Sequence, residues 1–349
     1  MQDKFIEHKR RPRYKGTHPK RFDQKYKELN PEKYQDTIEK VIKKGNTPAG
    51  MHIPIMVNEI LDVLKIQPGE IGLDATLGYG GHSSKMLEKL EGKGMLYATD
   101  VDPIEIEKTK QRLKNLGYDD TIFKAYNTNF KNIDEIAEIS GGFDFILADL
   151  GVSSMQIDNP ERGFSFKHDG PLDLRLDPTK GVPASKRLME LTRQEIEGML
   201  IENSDEPYAA EIAQAIAIKN YQCQEIETTR MLYEIIDKAL SFITTKDREQ
   251  IVKKTCQRVF QAIRIDVNQE FEVLYEFLEK LPNALRPNGR VAILTFHSGE
   301  DRLVKKAFKA MYKDGIYLEI ADNVTRPSIE ECNLNPRAKS TKLRWAIKK

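Results

Sequence analysis

The chain has 349 residues, 39% of them hydrophobic and 31% charged, with 55 Lys and Arg against 54 Asp and Glu. That length exceeds a typical single domain, and the even charge balance excludes a global electrostatic pull toward nucleic acid. No run is long enough to span a bilayer, no charged-then-apolar leader opens the chain, and the three cysteines (Cys223, Cys256, Cys332) are far apart, so the expectation is a reduced cytoplasmic protein without membrane association, disulfide framework or structural zinc.

Residues 1–50 read as a separate basic arm. Lys9-Arg10-Arg11-Pro12-Arg13 and Lys20-Arg21 dominate it, apolar residues are sparse and no strong period appears, so a flexible segment is expected. Its charge suits either phosphates, with Tyr14, Phe22 and Tyr26 interleaved for stacking, or plain solvation.

From Met51 the texture changes. Ile53, Met56, Ile60, Leu61 and Leu64 recur at helical spacing, and Gln67-Pro68-Gly69 ends that helix. A strand over 71–75 follows, then a turn containing Gly78, Gly80 and Gly81, then a helix over 82–91 with Met86, Leu87 and Leu90 on its buried side. Strand, glycine turn and helix suit a cradle for an adenosine-containing cofactor, against a plain tight turn without a ligand, because glycines let the backbone approach a ligand and the helix start offers free N–H groups. The next strand, 95–99, ends at Asp100, 26 positions after Asp74, as one βαβ unit requires. Asp100 is placed for ribose hydroxyls, while Asp102 before Pro103 suits the cap of a helix over 103–115.

A third strand over 121–126 leads to Asn127-Thr-Asn-Phe130. A fourth, Phe143-Asp-Phe-Ile-Leu-Ala148, is apolar enough to be buried on both faces, and it ends in Asp149. Strands alternating with helices predict an α/β fold with a mostly parallel sheet and right-handed crossovers. Ligands bind at the carboxyl ends of such strands, where the glycine turn, Asp100, Phe130 and Asp149 all fall. Residues 155–185 then read as loop and 187–243 as helices, a helical insertion between strands four and five. A long helical pattern over about 256–280 returns to the sheet; strand five, 290–296, ends in His297-Ser298; a helix over 300–312 and strands near 316–320 and 343–347 close the chain. The expected division is 1–50 as arm, 51–155 with 255–349 as the sheet domain, and 156–254 as the insertion.

The turn reads Asp-x-x-x-Gly-x-Gly-Gly-His, without the third glycine of a nicotinamide-binding Gly-x-Gly-x-x-Gly. An acid at the strand end fits a cationic sulfonium with an amino-acid tail better than a pyrophosphate, which favours S-adenosylmethionine. His297-Ser298 border the same strand-end face and read as substrate-side groups, against a buried structural histidine. No Asp or Cys arrangement makes His297 part of a hydrolytic triad, and no clustered metal-ligand set stands out.

Seven motifs occur in order: Asp74-Ala-Thr-x-Gly-x-Gly-Gly-His-Ser83; Asp149-Leu-Gly-Val-Ser-Ser154 with Gln156; Glu161-Arg-Gly-Phe-Ser-Phe166; Asp169-Gly-Pro-Leu-Asp173 with Arg175; Phe260-Gln-Ala-x-Arg264 with Val267-Asn268; Phe296-His-Ser298 with Glu300-Asp301-Arg302; and Asn335-Pro-Arg337 with Ser340 and Leu343-Arg344. From about His52 to Arg344 the chain thereby resembles the bacterial 16S ribosomal RNA cytosine-N4 methyltransferases, the MraW or RsmH family. The resemblance implies a class I, Rossmann-like S-adenosylmethionine-dependent methyltransferase fold whose insertion recognises substrate. It implies methylation of the exocyclic amine of a cytidine in the decoding centre of the small ribosomal subunit, with 16S rRNA as partner and a homodimer left open. Carried over position by position, its cofactor contacts fall on Gly80, Gly81, His82, Asp100, Phe130, Asp149 and Gln156.

Asp149 is the candidate acceptor for the reacting amine. The stacking aromatic common after this strand end is replaced by Leu150, Gly151 and Val152, which leaves Phe164 or Phe166 as candidates for the base, against ordinary core packing. Arg162, Arg175 and Arg264 are candidates for RNA phosphate, against ion pairs that brace Asp169, Asp173 and Asp266. The chain departs from the family's usual pattern at Lys254-Thr-Cys-Gln-Arg258 and at Gly299, where a leucine is usual, and both departures bear on substrate choice. The alternatives to an active RNA methyltransferase are a non-catalytic RNA-binding or ribosome-assembly paralogue and a methyltransferase of a different amine.

Overall fold

The computed structural model describes residues 54–349; residues 1–53, and with them the expectations for the basic arm and for Ile53, lie outside the described residues. Seven strands form one sheet in the order β3-β2-β1-β4-β5-β7-β6. Strands β1 (Ile71–Asp74), β2 (Met95–Asp100), β3 (Phe123–Asn127), β4 (Phe143–Asp149) and β5 (Leu285–Thr295) run parallel, whereas β7 (Lys342–Lys348) is antiparallel to both β5 and β6 (Tyr317–Ile320). The sheet is therefore mixed, with an antiparallel hairpin at one edge of a parallel, doubly wound half.

The apolar run of β4 behaves as a central strand should. Phe145 and Leu147 enter one buried cluster and Phe143, Ile146 and Ala148 the other, one on each side of the sheet. The first cluster is filled by helices α1 (Val57–Leu64), α2 (Gly81–Leu90) and α3 (Pro103–Asn115), through Ile60, Leu64, Met86, Leu87, Leu90, Ile106 and Leu113. Helix α4 (Ile133–Ser140), which the sequence reading did not delimit, closes the other side with Ile133 and Ile136. In β1, Gly72 lies opposite Phe145, and a Cβ there would sit 2.0 Å from the phenyl ring. Gly72→Ala is expected to destabilise the protein by about 1–3 kcal/mol through forced overpacking, read as a lower urea midpoint with an unchanged slope.

After β4 come the short helices α5 (Ser154–Asp158) and α6 (Ala184–Glu190), then α7 (Arg193–Ser204), α8 (Ala209–Tyr221) and α9 (Thr229–Ala239). They enclose a third cluster around Leu200, Ile212, Ile216, Leu232 and Ile236, so the insertion carries its own core. The long helix expected over 256–280 is two helices, α10 (Arg248–Asn268) and α11 (Glu270–Ala284), divided at Gln269 in the left-handed conformation (φ 50°). The break has a packing reason. Val252, Cys256, Val259, Phe260 and Ile263 of α10 face the insertion core, while Leu274, Phe277, Leu278 and Leu281 of α11 face the sheet. The expected division at 254/255 falls inside α10. Helix α12 (Ser298–Lys313) follows β5 and packs Val304 and Phe308 on the sheet, and α13 (Ile329–Leu334) precedes β7. Among the described residues no helix is long and apolar enough to cross a membrane.

The altered segment 254–258 has a structural role. Glu206 is 3% exposed and receives Arg258 Nε at 2.7 Å and the Thr255 hydroxyl at 3.3 Å, closing a buried charge between the start of α8 and α10.

Candidate active site

The glycine turn is held from three directions. Gly78 and Gly80 have φ of 48° and 78°, which an L side chain rarely adopts, and a Cβ on Gly80 would lie 2.7 Å from Thr109 of α3. The Gly78 N–H donates to Asp100 Oδ2 (2.7 Å), the Thr109 hydroxyl donates to the Gly78 carbonyl (2.6 Å), and Arg112 donates to the Tyr79 carbonyl (2.6 Å) with its guanidinium over the Tyr79 ring. Asp74, at 1% exposure, does not face a ligand. Its carboxylate accepts the Ser83 hydroxyl (2.6 Å) and the Thr76 N–H (3.1 Å), and burial pushes its pKa up. The acid that the sequence reading matched to a sulfonium thus braces the turn, because so tight a strand-to-helix connection must satisfy its own donors.

Asp100 stands at the tip of β2, accepting the Gly78 and Asp102 N–H groups, and burial pushes its carboxyl up to about 6. Asp102 caps α3 as expected, accepting from the Ile104 and Glu105 N–H groups at 3.0 and 3.3 Å. Its other oxygen has a second task. Oδ2 receives Gln156 Nε2 at 3.0 Å and Arg162 Nη1 at 2.6 Å, and Arg162 also donates to the Arg175 and Leu176 carbonyls. Gln156 is further tied into a capping box with Ser153, so both ends of its amide are engaged.

Asp149 ends β4, its N–H donating to the Thr76 hydroxyl oxygen at 2.7 Å. Its Oδ2 is 3.5 Å from His82 Nδ1, and its Oδ1 is sealed from solvent without a hydrogen-bond partner. His82 is 8% exposed, with Nε2 at 2.9 Å from the Ile55 carbonyl oxygen. A carbonyl only accepts, so Nε2 donates to it, and Nδ1 is the ring nitrogen that faces the Asp149 carboxylate. Burial pushes the Asp149 carboxyl up to about 6; His82 opposes the shift, and the charges of Asp74 and Glu300 add to it. Gly80, Gly81, His82, Asp100 and Asp149 therefore gather at the carboxyl ends of β1, β2 and β4. Phe130 opens a 3₁₀ turn after β3, half-buried and edge-on to Phe277 at 5.1 Å.

Beyond β5, His297 Nε2 lies 3.2 Å from Glu300 Oε1, without hydrogen-bond alignment at either ring nitrogen. Glu300 is 3% exposed and accepts the Phe296 N–H at 2.9 Å; burial pushes its pKa up, but His297 and that N–H outweigh burial and hold it below the usual range. Arg264 grips Glu270 with two bonds of 2.8 and 2.9 Å. Glu270, distant in sequence from His297 and Glu300, joins them so that one ligand atom of each lies within 4.8 Å of the others, with the Arg264 guanidinium already supplying the positive charge beside Glu270. Gly299 fits here because a Cβ would meet the Phe271 ring at 2.5 Å, and that ring lies 5.8 Å from the His297 imidazole. Ser298 reaches Asp205 of the insertion at 3.4 Å.

The remaining candidates lie inside structural contacts. Phe164 is buried in the insertion core, and Phe166 stacks on Tyr233 at 5.9 Å beside Phe260. Arg175 pairs with Asp173 through two bonds. Sequence reasoning passed over Thr76, Glu300 and the second oxygen of Asp102. All three sit within or beside the quoted motifs, but which side chains bridge distant strands appears only once the sheet is assembled.

A family model described as the MraW methylase family matches residues 49–349. The chain is 65% identical over 342 residues to ribosomal RNA small subunit methyltransferase H 1 of Agathobacter rectalis, covering 98% of each chain. It is 64% identical over 341 residues to the protein of that name from Lachnoclostridium phytofermentans, covering 98% of this chain and 93% of that one. Among solved structures, a putative rRNA methylase from Clostridium thermocellum aligns with 86% of this chain and 100% of its own, at 11% identity and a TM-score of 0.43.

Proposed function

The chain belongs to the MraW methylase family, and we propose that it is an S-adenosylmethionine-dependent methyltransferase acting on the exocyclic N4 amine of a cytidine in the decoding centre of 16S rRNA. The relatives at 64% and 65% identity are named small-subunit rRNA methyltransferases over nearly their full length, which supports the substrate class.

The residues present fit the cofactor. The observation that carries the reading is the partly buried Asp149 carboxylate at the strand-end face, one oxygen of which is sealed and unpartnered, beside a glycine turn whose backbone has no Cβ in the way. Gly80, Gly81, His82, Asp100, Phe130, Asp149 and Gln156 are the residues assigned to hold it, with Asp100 toward the ribose hydroxyls. When bound, the cofactor supplies an electrophilic methyl group on sulfonium sulfur. The cytosine amine is a weak nucleophile because its lone pair is delocalised into the ring. A carboxylate accepting one amine hydrogen favours the nucleophilic geometry, and Asp149 takes the proton released as the new N–C bond forms. His82, fixed by the Ile55 carbonyl, holds its Nδ1 3.5 Å from the same carboxylate. His297 and Ser298, at the β5 end beside the insertion, are assigned to the substrate side.

Incubation with S-adenosylmethionine and small subunits lacking the modification is expected to produce N4-methylcytidine in 16S rRNA, detected by mass spectrometry of nuclease digests. Calorimetric binding of S-adenosylmethionine without any product on RNA would instead leave the non-catalytic paralogue or a different amine substrate.

A further inference from the structure

Helix α12 starts at the β5 end of the site and carries a charge pattern that the reaction does not use. Between Arg302 and Lys313 the sequence holds five basic residues and no Asp or Glu. Arg302, Lys305, Lys306, Lys309 and Lys313 are all exposed. At 100° per residue they fall within about 100° of helix circumference, opposite Val304 and Phe308, which pack on the sheet.

An ordinary solvated helix face in this protein looks different. On α3, Lys108 pairs with Glu105 and Lys110 with Glu107; on α2, Lys85 pairs with Glu88; on α9, Arg230 pairs with Glu234. On α12 only Arg302, among these five and within the described residues, has a carboxylate within 4.0 Å, that of Asp205. The four lysine ammonium groups, none with a carboxylate within 4.0 Å among the described residues, lie along about 12 Å of helix and repel one another unless a polyanion lies on them. Lysine suits such a role because it meets phosphate as a point charge, without demanding one geometry.

We propose that the outer face of α12 is the docking surface for the phosphate backbone of the RNA flanking the target nucleotide, with Lys305, Lys306, Lys309 and Lys313 as its phosphate contacts. The inference rests on the rRNA methyltransferase reading above. It adds where the RNA lies: its backbone leaves the strand-end face past His297 and Ser298 and follows α12, while base choice is made at the insertion side.

The test compares the full-length protein with the quadruple variant K305Q/K306Q/K309Q/K313Q, and with K108Q/K110Q on α3 as a charge control. Equilibrium binding to small subunits, turnover and S-adenosylmethionine affinity are each measured over a salt series. Losing four phosphate contacts is expected to flatten the slope of log affinity against log salt by about 3 and to weaken subunit binding by about tenfold or more at low salt. The kcat at saturating subunit and the cofactor affinity should stay unchanged, and the control should keep the wild-type slope. A quadruple variant with wild-type affinity and slope, in a protein that does methylate the subunit, overturns the proposal and leaves the functional reading intact. Loss of subunit binding by the variant in a protein that methylates no RNA overturns the functional reading and keeps the surface. If the wild-type protein binds no subunit, both fall.

Discussion

Asp149→Asn is expected to lower turnover on the small subunit by about 10²–10⁴-fold, the usual worth of a positioned proton acceptor. The amide has the same shape, and the backbone N–H of residue 149 still reaches Thr76, so the end of β4 should keep its place. Cofactor affinity should change by less than about tenfold, the scale of one hydrogen bond. The pH dependence separates this role from mere packing. Burial holds the carboxyl at about 6, so kcat/KM should rise as pH climbs through that value and the base ionises. Asp100, also near 6, keeps a share of that limb in the variant, which should retain a shallower one. Stability should move the other way. A carboxyl raised above its unfolded value near 4 binds more protons when native, so this group's contribution is greatest at acid pH and falls as pH rises from about 4 to 6. Asp149→Asn removes that cost. Denaturant unfolding should show the variant more stable than wild type at pH 7–8, with the difference shrinking below pH 4. A variant that keeps wild-type turnover would show that the proton leaves by another route.

The parallel half of the sheet was legible because each of its elements announces itself locally. The glycine turn, the apolar β4 and the Asp102-Pro103 cap read the same in sequence and structure, and α3 has the expected bounds, Pro103–Asn115. The split at Gln269 was hidden because apolar positions on either side of it keep a helical period, although they face two different cores. The candidate site was legible only in part. Spacing marked Asp100 and Asp149 as strand-end acids, yet Asp74, in the same class by pattern, turns inward to Ser83 and Thr76. Which acid is a brace and which is open to chemistry depends on donors from other elements. The arginines show the same limit. Arg162, Arg175 and Arg264 each found a carboxylate, but Arg162 and Arg264 chose Asp102 and Glu270, partners that proximity to the motif acids did not single out.

Asp102→Ala is expected to cost about 3–5 kcal/mol, the range for stripping one partner from a buried ion pair. About 1 kcal/mol of that is the lost cap of α3. The larger share falls on Arg162, whose side chain is only 12% exposed and would keep two carbonyls but no counter-charge. Gln156 Nε2 loses its partner as well, so the connection between the β2 tip and the loop after β4 opens at one atom. Asp102→Asn isolates the charge: asparagine caps as well as aspartate, so α3 should survive while the Arg162 deficit remains. In Asp102→Ala/Arg162→Leu the unpaired guanidinium is gone, and part of the stability should return, giving a positive coupling in the double-mutant cycle. Because the Asp102 carboxylate also holds Gln156, which is assigned to the cofactor, the alanine variant should bind S-adenosylmethionine more weakly even where it is fully folded. Thermal and urea unfolding of the three variants beside calorimetry decide it. An Asp102→Ala protein within 1 kcal/mol of wild type would mean that the loop after β4 is held by its own capping box and that the arginine finds water in place of its partner.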